Sequence, residues 1–204
     1  GEERTYDYDK LIIATGASPI VPPVAGIHLK NIFVMRTPDD AAAIREAVDA
    51  GEIKRAVVAG AGFIGLEVAE NLHARGVRTT VIDMAPQIMT PFDPEMAEYA
   101  ENHLADEGIM CFTGTSLEGV LGADKVEKVQ TSRKAYKADA LILALGVRAN
   151  TAFLADTGIE LMPNRTIKVE KNLRTNDPRI SAIGHCAMVT NRQAGQPAWS
   201  PMGS

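Results

Sequence analysis

The 204 residues include only two cysteines, Cys111 and Cys186, 75 positions apart and neither in a CxxC. Four histidines, His28, His73, His103 and His185, show no HExxH or CxxC…HxxxH spacing. A redox pair within the chain and a zinc or other metal site are therefore not expected. Two scattered cysteines fit a reducing compartment, the cytoplasm. Positive charge is also scarce: 21 Lys and Arg stand against 26 Asp and Glu, for a net charge of −5, with no basic run. Nucleic acid and anionic membrane, which both require clustered positive charge, are not expected partners. The most apolar stretches, 141–147 and 56–66, fall well short of the roughly 18 residues of a membrane span, and the opening Gly1-Glu2-Glu3-Arg4 is not a basic-then-apolar leader. No Ser/His/Asp or Cys/His set has a supporting context, so no catalytic residue is assigned.

What is present is an ordinary globular composition, 46% hydrophobic and 23% charged, on a chain long enough to bury roughly 70% of its unfolded surface. Leu11-Ile12-Ile13-Ala14 reads as a buried strand, and Pro19, Pro22, Pro23 and Gly26 as a stiff connector crossing between two domains. Thr37 as N-cap, Pro38 at the first helical position and Asp39 and Asp40 in the first turn open a helix that Gly51 closes. A further helix runs from about Pro94 to Asp106, followed by a short strand over Ile109 to Thr113. Val120 to Lys137 reads as a small antiparallel meander, Ala138 to Gly146 as a buried strand and Pro163 to Arg174 as a hairpin. Ile180 to Gly184 reads as a last strand, and Asn191 to Ser204 as a loop.

The most informative stretch is Arg55 to Asp83. A buried strand, Arg55 to Ala59, leads into the turn Gly60-Ala61-Gly62-Phe63-Ile64-Gly65, and a helix runs on to Arg75 with Ile64, Val68 and Leu72 on one face. A second strand ends in Asp83, 18 residues past Gly65. In this β-α-β context the G-x-G-x-x-G spacing predicts a dinucleotide site. Gly60 permits the tight turn, Gly62 lets backbone approach a pyrophosphate, and Gly65 lets helix and strand pack closely. The helix N-terminus receives the anion. Asp83 accepts from the adenosine ribose hydroxyls and repels a 2′-phosphate, and Met84-Ala85-Pro86-Gln87 offers no arginine. NAD(H) is therefore expected over NADP(H).

Glu67, placed in the first helical turn, complements the helix dipole. Phe63 either packs beneath the sheet or covers a bound ring. Tyr6-xxx-Lys10 has the spacing of short-chain dehydrogenases but lies on an apparent strand, where an i, i+4 pairing cannot form, and it is rejected.

Four segments together carry a resemblance: Tyr8 to Pro19, Gly60 to Glu67, Ala144 to Asn150, and Ile180 to Ala187. The chain resembles the pyridine nucleotide-disulfide oxidoreductases, in the branch of NADH oxidase, NADH peroxidase and coenzyme A-disulfide reductase. It corresponds to the central part of the family's chain, without the N-terminal FAD-binding glycine turn, the redox cysteine or the C-terminal dimerisation domain. The resemblance implies that Ala14-Thr15-Gly16 and Gly184-His185 contact FAD. It also implies that Gly60 to Gly65 and Asp83 hold NADH, and that the region of Gly146 closes that site. Phe63 would shield the flavin, and Glu67 would position the nicotinamide and flavin edge. One position departs from the family, where an aspartate at the place of His185 accepts from the FAD ribityl chain. A neutral histidine has one acceptor nitrogen on a bulkier ring and cannot reproduce that contact.

The expected fold is α/β: a Rossmann-like NAD(P)-binding domain, a parallel sheet with a β-meander, plus remnants of an FAD-binding domain. The expected bounds are 1–28 for the end of the first FAD-domain portion, 29–150 for the NADH-binding domain and 151–204 for an incomplete second FAD-domain portion. The implied parent passes hydride from NADH to FAD and on to a disulfide, peroxide or oxygen, as a homodimer. The chain itself is expected to bind NADH modestly and FAD weakly or not at all, and to be inactive. Two alternatives are a stand-alone NAD(H)-binding module and a flavin-independent NAD-linked dehydrogenase.

Overall fold

A computed structural model describes residue 2, residues 4–191 and residues 193–199. The chain forms two compact units, Pro19–Gly146 and, from both sides of it in sequence, Gly1–Ser18 with Val147–Ser204. Among the described residues the strands begin with β1 (Leu11–Ile13), β2 (Ala17–Pro19), β3 (Ile32–Val34), β4 (Arg55–Ala59), β5 (Arg78–Ile82) and β6 (Met110–Phe112). They continue with β7 (Leu117–Leu121), β8 (Lys128–Thr131), β9 (Ala135–Lys137), β10 (Ala140–Leu143) and β11 (Val147–Ala149). The last are β12 (Ile167–Lys168), β13 (Ile180–Ala182), β14 (Ala187–Thr190) and β15 (Pro197–Ala198). The α-helices are α1 (Pro38–Asp49), α2 (Phe63–Ala74) and α3 (Pro94–Asp106). Among the described residues no helix is long and apolar enough to cross a membrane.

The larger unit is built on a five-stranded parallel sheet in the order β3-β10-β4-β5-β6. Successive side chains of a strand point to opposite faces, and the two faces are covered differently. Ala56, Val58, Val81, Ala140 and Ile142 pack against Ile44 of α1, Val68 and Leu72 of α2, and Ala97 and Leu104 of α3. Val57, Ala59, Ile82, Leu141 and Leu143 pack against Val120, Val126, Val129 and Ala138, in and beside the antiparallel meander β7-β8-β9. With both faces covered, the strands read as near-continuous apolar runs. Each fully buried Val, Ile or Leu contributes about 1.5–3 kcal/mol.

Local signals set the helix ends. Thr37 and Asp40 form a complete capping box at α1, and α1, α2 and α3 stop just before Gly51, Gly76 and Gly108. Below the start of β4, the Asp139 carboxylate accepts from the N–H groups of Lys54 and Arg55 (3.1 and 2.9 Å) and from the Arg55 guanidinium (2.9 Å). Burial pushes this carboxyl up, but these donors outweigh it and hold it below the usual carboxylate range. Cys111 on β6 is displaced the other way: burial, with a smaller contribution from Glu101, pushes its thiol up to about 12.

The smaller unit has short sheets. β1 pairs parallel with β13, β14 pairs parallel with β12 and antiparallel with β15, and β2 lies beside β11 in a separate two-stranded sheet. Its core gathers Ile13, Leu154, Ile167, Ile180, Ala182, Cys186 and Ala187.

Several expectations are corrected. Of the run expected as a buried strand, only Ile13 is buried; Leu11 and Ile12 are 37% and 63% exposed, because β13 is the one ladder neighbour of β1 among the described residues and the core takes one residue of the strand. The NADH-binding domain is expected at 29–150, and the larger compact unit runs from Pro19 to Gly146. Residues 20–28 are tied into it by Ile20 N–H to the Gly146 carbonyl (3.0 Å), Val120 N–H to the Ala25 carbonyl (2.8 Å) and buried Ile27. Pro19, where the expected connector begins, is the last residue of strand β2. The hairpin over Pro163 to Arg174 is two separate turns. Leu161 bridges Ile167 across one, and Glu170 N–H donates to the Arg174 carbonyl across the other, while β12 pairs with β14. Tyr6 to Lys10 has no regular structure, so the i, i+4 pairing is absent for that reason. The meander starts at Leu117. Of the loop expected from Asn191, part is strand β15, and residue 192 and residues 200–204 lie outside the described residues.

Candidate nucleotide-binding site

β4 ends at Ala59 and the chain turns at Gly60, whose φ is +111°. A Cβ on Gly60 would collide with the Ala144 carbonyl, which lies just beyond β10, and a Cβ on Gly65 with the Gly60 carbonyl. Neither position admits a side chain. Gly62 differs: a Cβ there would meet nothing within 4 Å. The bare backbone at Gly62 thus faces open space, while its neighbours hold the turn tight.

α2 starts at Phe63, inside the turn, so Gly65 is a helical residue. Gly62 is the N-cap and supplies no side-chain cap, in contrast to the capping box of α1. The first N–H groups of a helix have no intrahelical acceptor. At α1 the cap side chains meet that need, and at α3 Asp93 sits at the N-cap as a negative charge that disfavours an anion. At α2 neither device is present, and its first turn carries no acid. The positive end of the helix is thereby open to a phosphate.

Asp83 follows β5 directly. Its Oδ2 accepts the Ala61 N–H (2.7 Å) and its Oδ1 the Ala85 N–H (2.8 Å). The expected acid is therefore brought to the glycine turn. Phe63 is 54% exposed and meets Phe92 edge-on, with centroids 5.8 Å apart and planes at 72°. Packing beneath the sheet, one of its two expected roles, is excluded. Ile64 is exposed too, unlike Val68 and Leu72, which share its helix face. Glu67 stands in the second turn of α2, not the first as expected, because the helix begins two residues before Gly65. Its side chain is exposed and lines a cavity of about 560 Å³ between α1 and α2, with Met35, Ile44, Ile64 and Val68. Gly146 is exposed, and its carbonyl accepts from Ile20.

The remaining expected residues belong to the smaller unit. Gly16 has φ +66°, and the loop Ala14-Thr15-Gly16 is held by Asn150. The Asn150 amide donates to the Thr15 carbonyl (2.9 Å), Thr15 Oγ1 donates to the Asn150 carbonyl (2.7 Å) and Asn150 N–H donates to the Gly16 carbonyl (2.9 Å). Gly184 and His185 form a short 3₁₀ turn with Cys186. The His185 carbonyl accepts the Trp199 indole N–H (2.9 Å), and the two rings lie 5.4 Å apart. The turn 184–186 presents no carboxylate, so it does not fit a flavin chain held through an acidic acceptor.

Sequence reasoning missed the support around the turn. Met89 N–H donates to the Ala61 carbonyl (2.9 Å), Gly60 N–H to the Ile82 carbonyl (2.8 Å), and Phe92 meets Phe63. No periodicity marks these residues; only Met89, at φ +43°, signals a tight loop, and that is visible in coordinates alone.

The family model described as pyridine nucleotide-disulphide oxidoreductase matches residues 1–200. An NADH oxidase of Methanocaldococcus jannaschii is 38% identical over 205 residues, covering 100% of this chain and 46% of that protein. Among solved structures, an NAD-dependent persulfide reductase from A. fulgidus superposes with a TM-score of 0.90 at 35% identity, covering 97% of this chain and 37% of that one. A water-forming NADH oxidase from Lactobacillus brevis, bound to NADH, superposes at 0.89 and 32% identity, covering 98% and 44%. The chain spans less than half the length of these relatives. With an α/β fold whose parallel sheet is typical of Rossmann-like nucleotide-binding domains, it belongs to the pyridine nucleotide-disulphide oxidoreductase family, as a partial segment in the NADH oxidase and coenzyme A-disulfide reductase branch.

Proposed function

We propose that the chain is the NADH-binding portion of an FAD-dependent oxidoreductase. The observation that carries this reading is the glycine turn: tight at Gly60 and Gly65, open at Gly62, and leading into a helix with no cap of its own. In this reading the N–H groups of Gly62, Phe63 and Ile64 take the pyrophosphate. Asp83 takes the adenosine ribose, and its charge sets NADH ahead of NADPH. Phe63 and Glu67, both exposed on the first two turns of α2, lie along the path to the nicotinamide, with Gly146 at the edge of the site.

The whole protein would use NADH as hydride donor to FAD, with a disulfide, peroxide or oxygen as final acceptor. The contribution of these residues is positioning of the nicotinamide. The chain by itself carries no redox cysteine partner among its described residues, and His185 with Trp199 replaces an acidic flavin contact. The chain alone therefore binds NADH, takes FAD weakly or not at all, and is inactive. A cytoplasmic location, on its two free cysteines, and a homodimeric whole protein, on the family resemblance, complete the reading.

Calorimetric titration with NADH, NADPH and FAD, beside Asp83→Arg, tests it. NADH is expected to bind more tightly than NADPH, with the preference weakened or reversed in the variant. Absence of binding by either nicotinamide nucleotide, or a yellow purified protein that turns over NADH without added flavin, contradicts it.

A further inference from the structure

Asp83 does more than face a ligand. Its two carboxylate oxygens hold two backbone N–H groups, Ala61 at 2.7 Å and Ala85 at 2.8 Å. Ala61 is buried and is the second residue of the glycine turn. The other hydrogen bonds between residues 82–89 and Gly60 or Ala61, Gly60 N–H to the Ile82 carbonyl and Met89 N–H to the Ala61 carbonyl, are backbone to backbone. The hold on the Ala61 N–H is the one that depends on a side chain.

We infer that Asp83 is a positioning residue for the glycine turn: it fixes the Ala61 peptide, and so the aim of the following N–H groups at Gly62, Phe63 and Ile64, independently of any contact with the ribose. The inference rests on the nucleotide reading above. Each carboxylate oxygen accepts more than one hydrogen bond, so holding an amide leaves capacity for a hydroxyl. Removing the carboxylate leaves a buried N–H without an acceptor, and the turn can relieve that only by moving. Cofactor preference and turn geometry are then set by the same group. An exchange of Asp83 intended to admit NADPH weakens the grip on the phosphates at the same time.

The two roles separate with 2′,3′-dideoxyadenosine 5′-diphosphate, which has the phosphates and lacks both hydroxyls that an acid would read. If Asp83 only reads hydroxyls, Asp83→Ala leaves the affinity for this probe unchanged, or raises it by removing a negative charge near an anion. If Asp83 positions the turn, the variant binds the probe about fivefold more weakly. Asp83→Asn, whose amide oxygen retains one acceptor, falls between. In amide-exchange spectra of the same proteins, the Ala61 N–H is expected to exchange about tenfold faster in Asp83→Ala, while Val57 and Val81 in the sheet keep their rates. If Val57 and Val81 also accelerate, the alanine variant has lost its fold and the near-isosteric Asp83→Asn decides by the same two readouts. Unchanged or tighter binding of the probe in the deciding variant, or an unchanged Ala61 rate, overturns the proposal while leaving the nucleotide reading intact. Failure of the unaltered chain to bind NADH or the probe overturns both.

Discussion

In the larger unit Val58 and Val81, on neighbouring strands, are wholly buried; in the smaller unit Ile12, also mid-strand, is 63% exposed. The two surroundings grow from similar sequences. Leu11-Ile12-Ile13-Ala14 and Leu141-Ile142-Leu143-Ala144 are nearly the same run. β10 lies between two hydrogen-bonded strands with cover on both faces, whereas β1 has one ladder neighbour among the described residues. An apolar run therefore states that a strand is compatible with burial; the layers around it decide whether burial happens. The unit that carries the glycine turn accordingly has β10 buried along its whole length, while the smaller unit buries a single residue of β1, Ile13.

Substitutions in both units test that contrast. The largest effect is expected from Gly60→Ala, which places a Cβ against the Ala144 carbonyl at a φ of +111°. A loss of about 4 kcal/mol, read by urea denaturation followed by far-ultraviolet circular dichroism, is expected with loss of NADH binding. Val81→Ala, wholly buried, should cost about 2–3 kcal/mol in the same assay. Asp139→Asn should cost about 2 kcal/mol, since it disturbs an acceptor shared by two N–H groups and a guanidinium. The sign of its pH dependence follows from its direction. A carboxyl held below its ordinary value contributes fully above that value, and the contribution fades as pH falls. The variant should thus lose less stability on acidification than the parent.

Cys111 has the opposite dependence. With its thiol pushed up to about 12 from 9.0, the folded state keeps a proton that the unfolded state releases in that window. Its contribution is complete below pH 9.0 and declines as pH rises toward 12. Cys111→Ala should flatten the alkaline limb of a stability profile, and at pH 8 the native thiol should react with a disulfide reagent at least tenfold more slowly than a free cysteine. The smallest effect belongs to Ile12→Ala, within about 0.5 kcal/mol. A loss at Ile12 equal to that at Val81 would erase the contrast between the units.

What could be read beforehand follows the same division. The β4-α2-β5 unit, the helix caps at Thr37, Gly51, Gly76 and Gly108, and the meander were legible because each depends on residues within a few positions of one another. The position of Asp83 at the turn, 22 residues beyond Ala61, was legible from the β-α-β order, which sets the ends of two neighbouring strands side by side. Burial of Leu11 and Ile12 was not, being set by strands far away in sequence. The place of the connector was not legible, because its prolines suggested a crossover while Val120 and Gly146, more than ninety residues on, hold it. Glu67 was assigned to the wrong helical turn because a helix start within the glycines leaves no propensity signal. The support from Met89 and Phe92 lies in an irregular loop, where neither period nor composition speaks.

The sheet order also fixes a schedule for synthesis. β4, β5 and β6 are neighbours in sequence order, each linked by a helix. β3 has no ladder partner among the described residues until β10 exists, and Ile32 meets Leu141 across 109 positions of chain. β1 waits longer, with Leu11 paired to Ile180 across 169. Such distant closures are slow compared with local ones. The glycine turn leaves the ribosome with its own strand and helix already able to fold, but the carbonyl it rests on, that of Ala144, arrives 84 residues later. A nascent chain halted before residue 144 would hold the turn without its floor, and nucleotide binding would begin only after β10 has docked.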